Sequence, residues 1–395
     1  MRFSIQALVC IAFCSLVVLT SCDESAPTGP DQDATGAIYG DTTWVRAIEH
    51  VSGSLWPRAM VQAHDQGFVI VGLGGVANDT SHGFILKVDD EGYPLWYHDV
   101  GFGVHDIVQH PSGGYAIVGN SADPEVKVYL LSSNAEVQWS HAVTGKYGRG
   151  VAIGGYGEVL FTGTSTGGRV LQGSISSDGI QRWVRQYDTT SNDDRGISVA
   201  SHGTGSVITG ELRNQELGQR EILLLETDDD GNELQRATFG EFLGDTGYRI
   251  RSQDDLGILI AGGMYTFDAG NKEAAVLRIS QGFEEVFTTT FSGSSGDDYA
   301  FDMIVRNQTV VIAGDSDSEL FLACVNLEDG AVAWKKTYPG AGQGCAIVKH
   351  PHGGLVAAGG SDSDGDGQYE LYLFRCYSDG KMDKTGVFVN LTPVQ

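Results

Sequence analysis

The chain has 395 residues, enough for a full core, and a hydrophobic share of 41% excludes both a disordered chain and a multispan membrane protein. Its 51 acidic and 25 basic side chains give a formal charge of −26, which repels nucleic acid and anionic headgroups. Glycine, with 55 residues and no collagen period, holds about twice its usual share and points to many tight turns between short strands.

At the N-terminus a single Arg2 precedes an apolar run from Ile5 to Leu19. The run is shorter than the roughly 20 apolar residues a spanning helix needs, and it fits the core of a secretory signal. It ends in Leu19-Thr20-Ser21-Cys22, which resembles the bacterial lipoprotein signal box. That resemblance implies cleavage before Cys22 and acylation of its thiol. Residues 1–21 are thus expected to be a signal peptide. Residues 22–40, polar and rich in Pro, Gly and Asp, are the lipidated cysteine and a flexible tether. The expected location is the cell envelope, periplasmic or at the cell surface, with the membrane reached through the lipid alone.

From residue 41 to 391 one unit repeats. A short apolar run closed by glycine ends at Gly72, Gly119, Gly163, Gly210, Gly262, Gly314 and Gly359, in steps of 44 to 52 residues. Each run is apolar at nearly every position, so both its faces are buried. A second apolar run follows, then a turn rich in Asp and Gly, then a tryptophan four residues past the turn glycine, as in Gly92 and Trp96, Gly179 and Trp183, or Gly330 and Trp334. Trp139 stands four residues past Ala135, and Gln235 and Val286 are read into the same slot in the weaker repeats. The regular place of these tryptophans marks them as packing residues rather than sugar platforms.

About four short strands per unit predict an all-β fold, a seven-bladed β-propeller of four-stranded antiparallel blades, with six or eight blades as the alternatives. Residues 42–49 are expected to close the last blade, with a C-terminal strand at residues 384–388 competing or packing beside them. The hairpin from Cys324 to Trp334 is similar to the repeats of quinoprotein-like propellers, matching at Asn326, Gly330 and Trp334. The second-strand runs resemble those of uncharacterised secreted bacterial propeller proteins. These resemblances cover residues 42–391 and imply fold more than function. They favour a monomeric binding or scaffold protein whose partner is an envelope protein or a glycan. The alternatives are a polysaccharide-acting hydrolase or lyase with carboxylates at the channel mouth, and an outer-membrane-assembly scaffold of the quinoprotein-like type.

Two site candidates stand out. Asp362, Asp364, Asp366, Gln368 and Glu370 place oxygens at positions 1, 3, 5, 7 and 9 of a loop with glycine at position 6, a pattern suited to Ca²⁺. Asp194, Asp245 and Asp298 precede three innermost strands and could ring the channel mouth, although an aspartate capping a turn is the commoner use. His64, His110, His202 and His350 recur near corresponding turns of different blades, too far apart for one metal. Beyond residue 22 only Cys324, Cys345 and Cys376 remain, an odd number whose pairing the sequence leaves open.

Overall fold

Why the repeat runs are apolar throughout is visible in the first of them. Phe68 and Ile70 point into one cluster, shared with Ala346, Val356 and Leu373 of the last blade. Val69 and Val71 point into another, shared with Val104 and Ile117 of the next blade. Successive strand residues face opposite sides, so a strand between two sheets must be apolar at both parities. Seven such clusters lie among the described residues, one at each blade interface, so the core is radial rather than central.

The computed structural model describes residues 43–391, apart from 51–52, 76–81, 188–190, 215–217, 241–243, 254–255, 292–295, 363–366 and 384–389. Seven antiparallel sheets form a seven-bladed propeller, and no helix occurs among the described residues. The blades occupy residues 54–100, 103–144, 147–186, 195–239, 246–291, 299–338 and 343–376. Their inner strands are Ser54–Gln62, Gly103–Gln109, Tyr147–Ile153, Arg195–His202, Thr246–Gln253, Tyr299–Arg306 and Gln343–Lys349.

The N-terminal strand Trp44–Ile48 supplies the outer strand of blade 7, pairing antiparallel with Glu370–Cys376. The expected C-terminal strand at 384–388 lies outside the described residues, but Asn390–Leu391 pairs parallel with Trp44–Ile48, beside it rather than in its place.

The tryptophans act between blades. The ring of Trp139 lies against Gly179 in the outer turn of the following blade, and its indole nitrogen donates to the carbonyl of Ser177 at 3.1 Å. Trp183 repeats this on Gly231, donating to the carbonyl of Asp229 at 2.8 Å. These turn glycines have positive φ, 87° and 75°, and a Cβ on either would enter the indole. Trp334 meets Gly380 in the same way, and Trp44 meets Gly92. Trp44 pairs with Arg375 as Trp96 pairs with Lys87, so the closing strand delivers the seventh peg. In blade 5 the peg is Phe287, against Gly330, and not Val286. The reason is the turn: its positive-φ residue is Phe283 rather than Gly282, which moves the slot by one.

Trp44→Ala removes the peg that joins the two ends of the ring. Because Trp44 is 8% exposed, the loss is expected to be about 3–5 kcal/mol, read as a lowered denaturant midpoint in equilibrium unfolding.

Candidate functional site: the channel

Every inner strand carries one β-bulge at the same place. The bulges fall between Pro57 and Ala59, Val104 and Asp106, Gly148 and Gly150, Gly196 and Ser198, Gly247 and Arg249, Ala300 and Asp302, and Gly344 and Ala346. The extra residue leaves the ladder, and in every blade but the seventh, where Cys345 packs against the interface with blade 1, its side chain stands outside the interface clusters. The seven extra residues are Arg58, His105, Arg149, Ile197, Tyr248, Phe301 and Cys345. Arg58 is exposed and the other six are half-buried, with buried residues on both sides in six of the seven cases. They form one ring around the lumen, near the ends where the inner strands begin.

The ring is divided chemically. Blades 1 to 3 contribute Arg58, His105 and Arg149. Arg58 lies over the ring of Trp56 at 5.5 Å and Arg149 over that of Tyr147 at 5.1 Å. Blades 5 and 6 contribute Tyr248 and Phe301, 4.9 Å apart, with Tyr299 5.8 and 5.7 Å from them. Burial, and then the charges of Arg58 and Arg149, push the His105 imidazole down to about 3, so it is neutral at physiological pH. Burial pushes the Tyr248 hydroxyl up to about 12 and the Cys345 thiol upward, leaving both protonated.

One residue further along the strands lies a charged crossbar. Arg249 of blade 5 reaches Asp106 of blade 2 at 3.1 Å and Asp302 of blade 6 at 2.9 Å, and Arg251 adds a 3.2 Å contact to Asp302. Each carboxylate also accepts a backbone N–H from the next blade, Asp106 from Val151 and Asp302 from Ile347, both at 3.0 Å. The two acids hold Arg249 firmly protonated against the cost of burial. Beyond the crossbar, toward the ends of the inner strands, a cavity of about 630 Å³ is lined by residues such as Gln62, Gln109, Gln253 and Lys349.

The sequence candidates fall elsewhere. Asp194, Asp245 and Asp298 are 0, 0 and 1% exposed, inside the protein. Asp194 accepts the backbone N–H of Arg213 at 2.6 Å and Asp245 that of Tyr265 at 2.7 Å, while the backbone N–H of Asp298 donates to the carbonyl of Lys272 at 2.8 Å. They tie blade connections to neighbouring strands, as caps do. His110 reaches the carbonyl of Gly157 in the next blade, His350 that of Asp90, and His202 the hydroxyl of Ser252. Each histidine thus links neighbouring blades. Of the calcium candidates, Asp364 and Asp366 lie outside the described residues. Asp362 accepts the backbone N–H of Gly367 at 3.2 Å, Gly367 has φ 87°, and Glu370 is buried at the start of its strand. Cys324, Cys345 and Cys376 are all unbridged.

No family model matches the chain, and no curated protein matches it. Solved structures share the fold. A β-propeller domain of Cps50 (Swd1) from Myceliophteria thermophila is similar at 9% identity, over 83% of this chain and 98% of that one, with a TM-score of 0.56. A virginiamycin B lyase from Staphylococcus aureus, solved as an inactive variant with quinupristin, is similar at 10% identity, over 85% and 100%, with a TM-score of 0.52. A protein of unknown function from Bacteroides caccae is 16% identical over 68% and 92%, with a TM-score of 0.46. At these identities the likeness is one of fold.

Arg249→Met leaves the buried carboxylate of Asp106 without a cation and Asp302 with Arg251 alone. The expected loss is about 3–5 kcal/mol at neutral pH. Denaturant unfolding at neutral pH reads the loss.

Proposed function

We propose that this protein is a lipid-anchored binding protein of the bacterial cell envelope, whose ligand or partner engages the channel mouth formed by the bulge ring. The observation that carries this reading is the ring itself. Seven side chains converge on one lumen, and six of them stand outside the apolar clusters that join the blades, Cys345 alone packing against one. Ligands of a closed ring of blades collect at such a mouth because several rigid elements there present side chains to one point. The polysaccharide hydrolase reading is less well supported. The two carboxylates that face each other across the lumen, Asp106 and Asp302, are both held by Arg249 and by backbone amides, not poised as an acid and a base.

Cys22 lies outside the described residues, and its acylation is part of this proposal. Cys22→Ala is expected to move the protein from the membrane to the soluble fraction of cells. Retention in the membrane fraction would refute the anchor. A photo-crosslinking residue placed at Phe301 in intact cells is expected to capture a partner, while one at Val137, an exposed outer-strand position, is not.

We also propose that Asp362, Asp364, Asp366 and Glu370, with the carbonyl of Gln368, hold Ca²⁺. The turn already carries a positive-φ glycine at position 6 and a loop amide on Asp362, as such loops require. The ion would supply the charge that four clustered carboxylates need. Calorimetric titration is expected to show one Ca²⁺ site, abolished by Asp364→Asn with Asp366→Asn.

A further inference from the structure

Two arginines of the ring have no acid to answer them. Among the described residues no carboxylate comes within ion-pair distance of Arg58 or Arg149, and the Nε of Arg149 is buried without a hydrogen-bond partner. Glu211, which acts on Arg149 from a distance, is already engaged by Arg220 at 3.1 Å and Arg195 at 3.5 Å. The cost falls on Arg149, which is half-buried: burial, then the charge of Arg195, pulls its guanidinium below the ordinary value. Arg58 stands exposed at the mouth. A partly buried cation without a partner is costly, and in a chain of charge −26 with twice as many acids as bases neither arginine has a carboxylate at ion-pair distance. Each guanidinium lies over an aromatic ring, Arg58 over Trp56 at 5.5 Å and Arg149 over Tyr147 at 5.1 Å, a contact that uses the ring face and no N–H acceptor. Close to both lies His105, a neutral imidazole that also meets the side chain of Asn120. Across the lumen, Tyr248, Phe301 and Tyr299 present a half-buried aromatic wall with no charge of its own.

We propose that the bulge ring is a binding site for a small organic anion, with a carboxylate or phosphate held by Arg58, Arg149 and His105 and a planar body lying on Tyr248 and Phe301. The proposal rests on the reading of the mouth as the ligand site and adds the chemical class. A bound oxyanion would supply the missing counter-charge to both arginines, and bidentate guanidinium contacts suit carboxylate and phosphate alike.

The test uses the full chain purified in detergent, with phenyl phosphate and benzoate as probes in calorimetry. Inorganic phosphate, acetate and benzamide remove the ring or the charge in turn. Saturable binding of an aromatic anion is expected, with benzamide silent and acetate and inorganic phosphate weaker. The tighter of phenyl phosphate and benzoate then assigns the oxyanion as phosphate or carboxylate. Arg58→Gln and Arg149→Gln are each expected to weaken binding by about tenfold or more. Neither is expected to lower the thermal midpoint of the free protein, since each relieves an unpaired charge; Arg182→Gln, on an outer strand, is expected to leave binding unchanged. Absence of saturable anion binding, or binding indifferent to both ring variants, overturns the inference. A clear drop in thermal midpoint in both variants without loss of binding assigns the arginines to structure and overturns it too. If crosslinking at Phe301 succeeds while anions fail, only the anion class falls and the mouth remains the site; if both fail, the reading of the mouth falls with it.

Discussion

The channel depends on a close approach between backbones that only glycine permits. The repeat glycine within each second strand lies against an inner-strand carbonyl beside the bulge. A Cβ on Gly72 would collide with the carbonyl of Trp56, on Gly163 with that of Tyr147, and on Gly210 with that of Arg195. This contact lets the inner strand kink at a fixed place, so one residue per blade leaves the ladder. The bulged residue is thereby freed from the ladder, and in six blades it stands outside the interface clusters. Neighbours such as Ala59, Asp106 and Ser198 stay buried and bear on the next blade, while Arg58, His105 and Ile197 do not. Architecture and ligand chemistry are thus written at adjacent positions with little mutual constraint.

The blades are held to one another by two layers of contacts. Near the rim, an aromatic peg sits on the turn of the following blade. Nearer the axis, a side chain after the bulge takes a backbone amide of the following blade: Asp106 from Val151, Ser198 from Ile250 at 3.3 Å, Asp302 from Ile347. The aromatic layer is broken at blade 4, where Gln235 holds the slot and donates to Glu226, and the amide layer joins blades 2 to 3, 4 to 5 and 6 to 7. The last interface keeps its aromatic peg, Trp44, which arrives from the other end of the chain. Closure therefore costs no new chemistry, only the loop entropy of joining the ends.

The repeat was legible because it is local. Apolar runs, turn glycines and the four-residue offset to the tryptophan all lie within single hairpins. The slot in blade 5 slipped from Val286 to Phe287 because a non-glycine, Phe283, took the left-handed turn position, which pattern alone does not foresee. The ring was written in the sequence too, at 13 or 14 residues before each repeat glycine, from Arg58 before Gly72 to Cys345 before Gly359. It is hidden because its residues share no property; their variety is what a ligand site needs and what a repeat search discards. The crossbar was not legible at all. Asp106 and Arg249 are 143 residues apart and meet only because blades 2 and 5 face each other across a closed ring. The carboxylates singled out from the sequence, Asp194, Asp245 and Asp298, stood at regular places for a structural reason, since regular placement belongs to parts that repeat.

The charge distribution follows the same division. An acidic surface is compatible with any outward role, but the inner acids named here are engaged: Asp106 and Asp302 neutralise Arg249 and Arg251, and Glu211 serves Arg195 and Arg220. What remains unbalanced is the pair of guanidiniums above the crossbar. Being a neutral floor at short range, the crossbar does not offset them, and the low-dielectric walls limit how far solvent can. A site that is positive within a negative envelope discriminates strongly. An anion must cross an unfavourable outer field and is held only by contacts at the bottom, so loosely fitting polyanions are rejected while a small one that reaches Arg58 and Arg149 is retained.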